Sequence, residues 1–365
     1  MLLGLLALCI WVYLLGAHGR FWFSTPELSP AAPAELPSVD IVVPARDEAQ
    51  SIAPVIASLL AQDYAGRLQV FLVDDNSTDA TVANAGTSPR LRIIRLTSKP
   101  AGWSGKLWAL DQGIAAGDGS LVLLTDADIV HDPRHLSALV AHLTANQLAM
   151  VSEMVRLNCQ SLAERALIPA FVYFFQMLYP FQQVNDTRSR VAAAAGGTVL
   201  IRRDILQSIG GIASIRHALI DDVTLARAVK RVGGIYLGHS GLAVSIRPYP
   251  RFVDIWNMIA RTAFTQLRYS GWWLMATVAG LSLLWWVPPL EAVFGRDVGR
   301  MFGVSAYALA AVTFLPTLRR YHRSAWWAPA LPLIALFYMA ATVGSAINHW
   351  RGRGANWKSR SYEKG

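Results

Sequence analysis

Apolar positions along this chain fall into two regimes. Between residues 39 and 125 they come in short runs, each closed by polar or glycine residues. Val39-Asp40-Ile41-Val42-Val43-Pro44, Leu68 to Val73, Leu91 to Leu96 and Leu121 to Leu124 have the length and composition of buried strands. Helical patterns separate them, from Ser51 to Ala61 and again after Gly105. Strand alternating with helix at this spacing predicts βαβ units and a mostly parallel sheet of the α/β class. Toward the chain's ends the runs lengthen. Residues 2–17 carry no charge and lead through Arg20 into Phe21-Trp22-Phe23, and three more apolar segments cover roughly 271–290, 298–318 and 325–347. Each of the three approaches the ~20 residues a helix needs to cross a bilayer. Trp272-Trp273, Trp285-Trp286 and Trp326-Trp327 sit near their ends, where interfacial aromatic belts form.

These regimes divide the chain into a membrane anchor over 1–23, a Pro/Ala-rich linker over 24–38, an α/β domain over 39–268, a transmembrane region over 269–349 and a basic tail over 350–365. No positive segment precedes the first apolar run, which is therefore expected to be an uncleaved anchor, not a signal peptide. Ile168 to Phe181 is nearly all apolar and carries Phe171, Tyr173, Phe174, Phe175, Tyr179 and Phe181. So continuous a run exceeds one buried stripe and predicts a segment lying on the membrane.

The net charge of +9 would suit a nucleic-acid binder, but its distribution argues against one. Residues 247–268, 319–323 and 350–365 together carry +10, which leaves about −1 for everything else. The basicity flanks the apolar segments, where it meets anionic lipid or sets orientation. Alternation through three spans places Arg319-Arg320 inside but the tail outside, unless Pro329 and Pro332 make the last segment re-entrant. Cys9 and Cys159 imply no disulfide framework, and His131 and His135 lack the cysteine partners of a zinc site.

Candidate chemistry gathers where strands end. Thr125-Asp126-Ala127-Asp128 follows the fourth apolar run, at the strand end where open α/β sheets bind ligands. Carboxylates two apart on an extended chain point the same way, and hard divalent cations take one or two carboxylates plus substrate phosphates. Gly102-Trp103-Ser104-Gly105-Lys106 opens a helix, and a helix N-terminus with a lysine attracts phosphate. Asp221-Asp222 precedes the helical pattern Val223 to Val232.

Four pieces in order, Val-Pro-Ala-Arg-Asp-Glu (43–48), Val-Asp-Asp-Asn-Ser-Thr-Asp (73–79), Thr-Asp-Ala-Asp (125–128) and Asp221-Asp222, resemble the family 2 inverting glycosyltransferases. Gly102 to Lys106 and the flanking apolar segments are most similar to lipid-directed members, nearest the hopanoid-associated ones. The resemblance implies a GT-A type domain, a nucleotide-sugar donor (a UDP-sugar), a divalent cation (Mg2+ or Mn2+), a lipid acceptor and no nucleic acid. It implies donor contacts at Pro44, Ala45, Glu48, Asp75, Lys106, Asp126 and Arg268, metal ligation by Asp128 with Asp126, and an acceptor side lined by Gly196 and Gly197. Asp222 becomes the base, with Asp221 beside it. Thr265-Gln266-Leu267-Arg268-Tyr269 departs from the Gln-x-x-Arg-Trp of polymer synthases, which argues against a processive enzyme. The domain is then expected on the cytoplasmic face of a bacterial inner membrane, where nucleotide sugars are available.

Overall fold

The computed structural model describes residues 1–23 and 27–352, with the backbone of 356–357 and 360–361. The basic tail predicted over 350–365 lies largely outside the described residues, as do 24–26 of the linker. Two compact units emerge, one built from Met1–Ser24, Cys159–Gln182 and Pro248–Ala355, the other from Thr25–Asn158, Gln183–Arg247 and Asn356–Gly365.

An eight-stranded sheet organises the second of these. Its strands are β1 (Val39–Ala45), β2 (Leu68–Asp74), β3 (Leu91–Arg95), β4 (Leu121–Thr125), β5 (Ile129–His131), β6 (Met150–Arg156), β7 (Thr198–Arg202) and β8 (Ile235–Ser245). They lie in the order β3-β2-β1-β4-β7-β6-β8-β5. Parallel pairing joins β1 to β2 and β4, β2 to β3, and β6 to β8. β7 enters between β4 and β6 antiparallel to both, and β5 runs antiparallel to β8. The expected α/β class with a mostly parallel sheet is what forms.

Helices Ile52–Leu60 and His135–Ala145 pack into one core with β1, β2 and β4, in which Ile41, Val43, Ile56, Leu72, Leu123 and Leu139 are sealed from water. Sheets covered on both faces have strands that read as continuous apolar runs, which is why the pattern exposed them. Because β1, β2 and β4 are parallel, Ala45, Asp74 and Thr125 end at one edge, and the polar residues after them assemble there. At the start of β1, buried Asp40 accepts the Gly119 N–H at 2.7 Å and pairs with Arg203 at 2.7 Å. The paired guanidinium offsets the cost of burying that carboxylate.

The other unit is helical. Its first helix, Leu2–Gly16, has 15 residues, about 22 Å at 1.5 Å per residue. That is short of a ~30 Å hydrocarbon core, so the expected span over 1–23 is corrected to a shorter apolar helix. Gly19 and Arg20 take positive φ (58° and 45°), turning the chain, and the Phe21 ring packs on Tyr173 with centroids 5.4 Å apart. Gly271–Phe294, Asp297–Arg320 and Ala325–Trp350 are long and apolar enough to cross a membrane. Trp272, Trp326 and Phe294 stay largely exposed on them. Pro329 and Pro332 fall in the opening turns, and the helix Leu331–Trp350 runs on unbroken behind them.

Helix Leu162–Leu178 packs among these segments. The Tyr173 hydroxyl meets Thr313 Oγ1 at 2.7 Å, and Phe174 lies edge-on to Trp285 and Tyr338. Ile168, Val172 and Tyr173 are fully buried. The expectation of a segment lying flat on a membrane gives way to a helix packed on several neighbours. That is how so continuous an aromatic run is accommodated.

Candidate functional site

Pro44, Lys106, Asp126, Gly196, Asp221 and Asp222 line one pocket in the α/β unit, with Leu107, Leu124, Val199 and Ile215 among its apolar walls. They arrive on several different elements, with Asp221 and Asp222 together on one. Pro44 is near the end of β1, and Asp126 is the residue after β4. Gly102 at φ 77° turns the chain into the helix Gly105–Ala115, which Ser104 caps by accepting the Leu107 N–H at 3.1 Å. That start directs Lys106 inward. Its Nζ lies 2.9 Å from Asp126 Oδ1 and 3.3 Å from Asp221 Oδ2, so it is not a solvated turn lysine. Burial works against its charge, but Asp126 and Asp221 outweigh that and hold it firmly cationic.

Asp221 and Asp222 form the first turn of the helix Asp221–Lys230, where carboxylates suit the helix dipole. Asp222 Oδ1 accepts the Val223 N–H at 2.7 Å, so part of its role is capping. Its Oδ2 accepts the Gly196 N–H at 3.0 Å. A Cβ on Gly196 would lie 3.3 Å from that oxygen and 3.6 Å from Lys106 Nζ, so a bare backbone is what allows this approach. Burial, and then the charge of Asp221, push the Asp222 carboxyl up to about 7 against the opposing pull of Lys106. A carboxyl near 7 is tuned for proton transfer at neutral pH.

Asp126 and Asp128 do not behave as an extended pair. The chain turns at Ala127-Asp128, sending Asp126 toward Lys106 and Asp128 away from the pocket lining. Asp128 Oδ2 instead accepts from Arg247 Nε at 2.6 Å, and Arg247 Nη2 donates to Glu48 Oε1 at 2.6 Å. Arg247 thus ties together two predicted residues from separate loops. It was not anticipated, although a charge two residues beyond the strand ending at Ser245 is itself a strand-end signal.

Among the described residues no three His, Cys, Asp or Glu side chains cluster as metal ligands. A divalent cation bound with a diphosphate needs only one or two carboxylates. Asp126, in the pocket wall, meets that demand as one carboxylate, whereas Asp128 is turned toward Arg247. Burial, opposed by Lys106, and then the charge of Asp128 raise the Asp126 carboxyl.

The remaining predicted residues are placed as follows. Asp75 is 1% exposed, its N–H bonded to the Ala45 carbonyl at 2.8 Å. Arg46 Nη1 lies 3.8 Å from its carboxylate. The loops after β1 and β2 are laced together, with Asp47 Oδ1 taking the Thr78 N–H and Asp79 Oδ2 the Ala49 N–H. Gly197 is separated from its partner glycine: a Cβ there would meet Val155 at 3.1 Å, so it serves packing and does not line the pocket. Arg268 belongs to the helical unit, where it and Tyr269 take positive φ (53° and 56°). Beside it the Gln266 amide bonds the Tyr179 hydroxyl.

The family model described as glycosyl transferase family 2 matches residues 40–210. A dodecaprenyl-phosphate galacturonate synthase of Rhizobium johnstonii is 31% identical over 126 residues, covering 33% of this chain and 36% of that one. The beta-monoglucosyldiacylglycerol synthase of Synechocystis sp. is 27% identical over 211 residues, 53% of this chain and 42% of that one. The chain therefore spans well under two thirds of the length of these curated relatives. A mannosyltransferase of Pyrobaculum calidifontis, solved with GDP-Man and Mn2+, superposes with a TM-score of 0.58 at 19% identity, covering 93% of this chain and 98% of that one. At that identity the likeness is one of fold. The comparisons thus show a likeness of residues 40–210, somewhat under half of the chain, to glycosyl transferase family 2.

Proposed function

We propose that this protein is an inverting, metal-assisted glycosyltransferase that moves a sugar from a nucleotide-diphosphate donor, a UDP-sugar, to the hydroxyl of a membrane lipid. The observation that carries the proposal is the convergence in one pocket of the Asp221-Asp222 pair with Lys106, whose Nζ lies 2.9 Å from Asp126 and 3.3 Å from Asp221. In this reading Asp222 accepts the proton of the acceptor hydroxyl. The acceptor oxygen then bonds to the anomeric carbon as the bond from that carbon to the diphosphate breaks on the opposite face. Lys106 neutralises the departing diphosphate, and Asp221 and Asp126 hold its ammonium in place. Asp126 and Asp128 would hold a divalent cation, which supplies Lewis-acid stabilisation of the leaving group when bound.

The acceptor class we propose is a hopanoid or a related isoprenoid. Support for a lipid comes from three helices long enough to cross a membrane and from relatives whose names specify lipid-linked products. Cytoplasmic placement of the α/β unit follows from the need for nucleotide sugars. The test is a panel of UDP- and GDP-sugars offered to the protein in lipid, with nucleotide release as readout. Release should occur with UDP-sugars and depend on added lipid.

The same assay carries a pH expectation. Asp222 must be ionised to act, so turnover is full above its value near 7 and falls as pH drops through it, by about tenfold at one unit below. A flat profile from pH 8 to 5.5 would assign the proton transfer elsewhere.

A further inference from the structure

From Thr125 in the pocket wall, a set of polar side chains that the chemistry does not use runs back into the α/β unit. Thr125, His131, His135, Ser152 and Glu153 are each 3% exposed or less. Thr125 Oγ1 donates to the Gly197 carbonyl at 2.9 Å, which uses its one proton. It can therefore only accept from His131 Nε2, 3.0 Å away. That leaves His131 Nδ1 as the acceptor for His135 Nδ1–H at 2.7 Å, and His135 Nε2 shares the last proton with Glu153 Oε2 at 2.8 Å. One hydrogen-bond direction thus fixes the whole chain from Glu153 to Gly197. Burial, and secondarily the neighbouring His135, hold the His131 basicity well below its usual range, in keeping with the neutral ring this pattern needs.

Ser152 grips the same turn from its other side. Its Oγ lies 3.1 Å from the carbonyls of both Ala195 and Thr198 and accepts the Ala195 N–H at 2.9 Å. The Ala195 carbonyl and the Gly196 N–H belong to one planar peptide unit. That N–H is the one donated to Asp222 Oδ2 at 3.0 Å.

We propose that Ser152 and the Glu153–His135–His131–Thr125 chain hold the Ala195–Gly197 turn so that the Gly196 N–H stays aimed at Asp222. Thr125 and Ser152 are then positioning residues for the base. The proposal rests on the reading of Asp222 as that base. Stability alone is a poor reason for this arrangement, since a buried His–Glu pair costs desolvation that apolar side chains of like volume avoid. What an apolar core cannot supply is a fixed orientation of one peptide plane.

Thr125→Val keeps the shape and removes the hydroxyl, whereas Thr125→Ser keeps the hydroxyl. Thr125→Val should lower kcat by about tenfold or more, with the donor KM and nucleotide affinity within about twofold of wild type, and Thr125→Ser should restore kcat. Melting temperatures establish that the variants are folded. Ser152→Ala, read by the same split between kcat and KM, takes over if Thr125→Val does not fold. Wild-type kcat in both Thr125→Val and Ser152→Ala, or equal losses in Thr125→Val and Thr125→Ser, would overturn the proposal. Asp222→Asn run alongside separates the two readings. If it keeps full turnover, the base assignment has failed; if it is inactive while Thr125→Val is normal, only the positioning role has.

Discussion

Asp222→Asn should lower turnover by about 10² or more while nucleotide binding survives, as expected for loss of a general base. The amide keeps the shape of the side chain, and its one oxygen can still accept one of the two N–H groups, of Gly196 and Val223, that orient the carboxylate, while its NH2 group cannot accept the other. What it loses is the capacity to take a proton. Asp221→Asn should be milder in turnover and act through Lys106, which it helps to hold at 3.3 Å. Turnover and nucleotide affinity measured on both variants decide the order of the pair. A crippled Asp221→Asn beside a mild Asp222→Asn would reverse the roles.

The second large effect is expected at the turn after β4. Asp128→Ala should reduce transfer by about 10²–10³, the scale on which single electrostatic contacts to a developing charge are measured. Two losses would combine there: the proposed ligand for a divalent cation and the anchor of Arg247, which also holds Glu48. EDTA should abolish activity in the wild type, and Mn2+ or Mg2+ should restore it. Arg247→Gln separates the contributions, since it keeps Asp128 available and removes only the bridge. Full activity in EDTA would remove the cation and this role for Asp128 together.

The residues that sequence revealed and those it concealed differ in a physical way. Strands β1, β2 and β4 are buried on both faces, so their runs stand out, and Asp75 after β2, Asp126 after β4 and the Gly102–Lys106 turn after β3 were legible as a strand-end cluster. Lys106 and Asp222 meet through folding, yet each was marked beforehand by its place at a helix start. β7 was marked only by Gly196 and Gly197 just before it. Its antiparallel entry between β4 and β6 depends on a long connection that carries no periodic signature. The direction of Asp128 could not be read, because two acids spaced by one residue share a face only while the chain stays extended, and here it turns. Arg247 was hidden because its partners lie far off in sequence, 119 residues for Asp128 and 199 for Glu48, whereas the Glu153–His135–His131–Thr125 chain joins residues 4 to 18 apart that only the fold brings side by side. The N-terminal helix was overread since apolar composition continues through Phe21-Trp22-Phe23, while Gly19 and Arg20 turn the backbone before them.

The central claim is that Asp222 drives transfer of a sugar from a nucleotide to a lipid. Incubating the full-length protein, in membranes, with radiolabelled UDP-sugars and a divalent cation, then partitioning between organic solvent and water, tests it most directly. Label should pass into the organic phase with the wild type and remain in the aqueous phase with Asp222→Asn. Equal organic-phase label from both proteins, or label found only in a water-soluble polymer, would contradict the account.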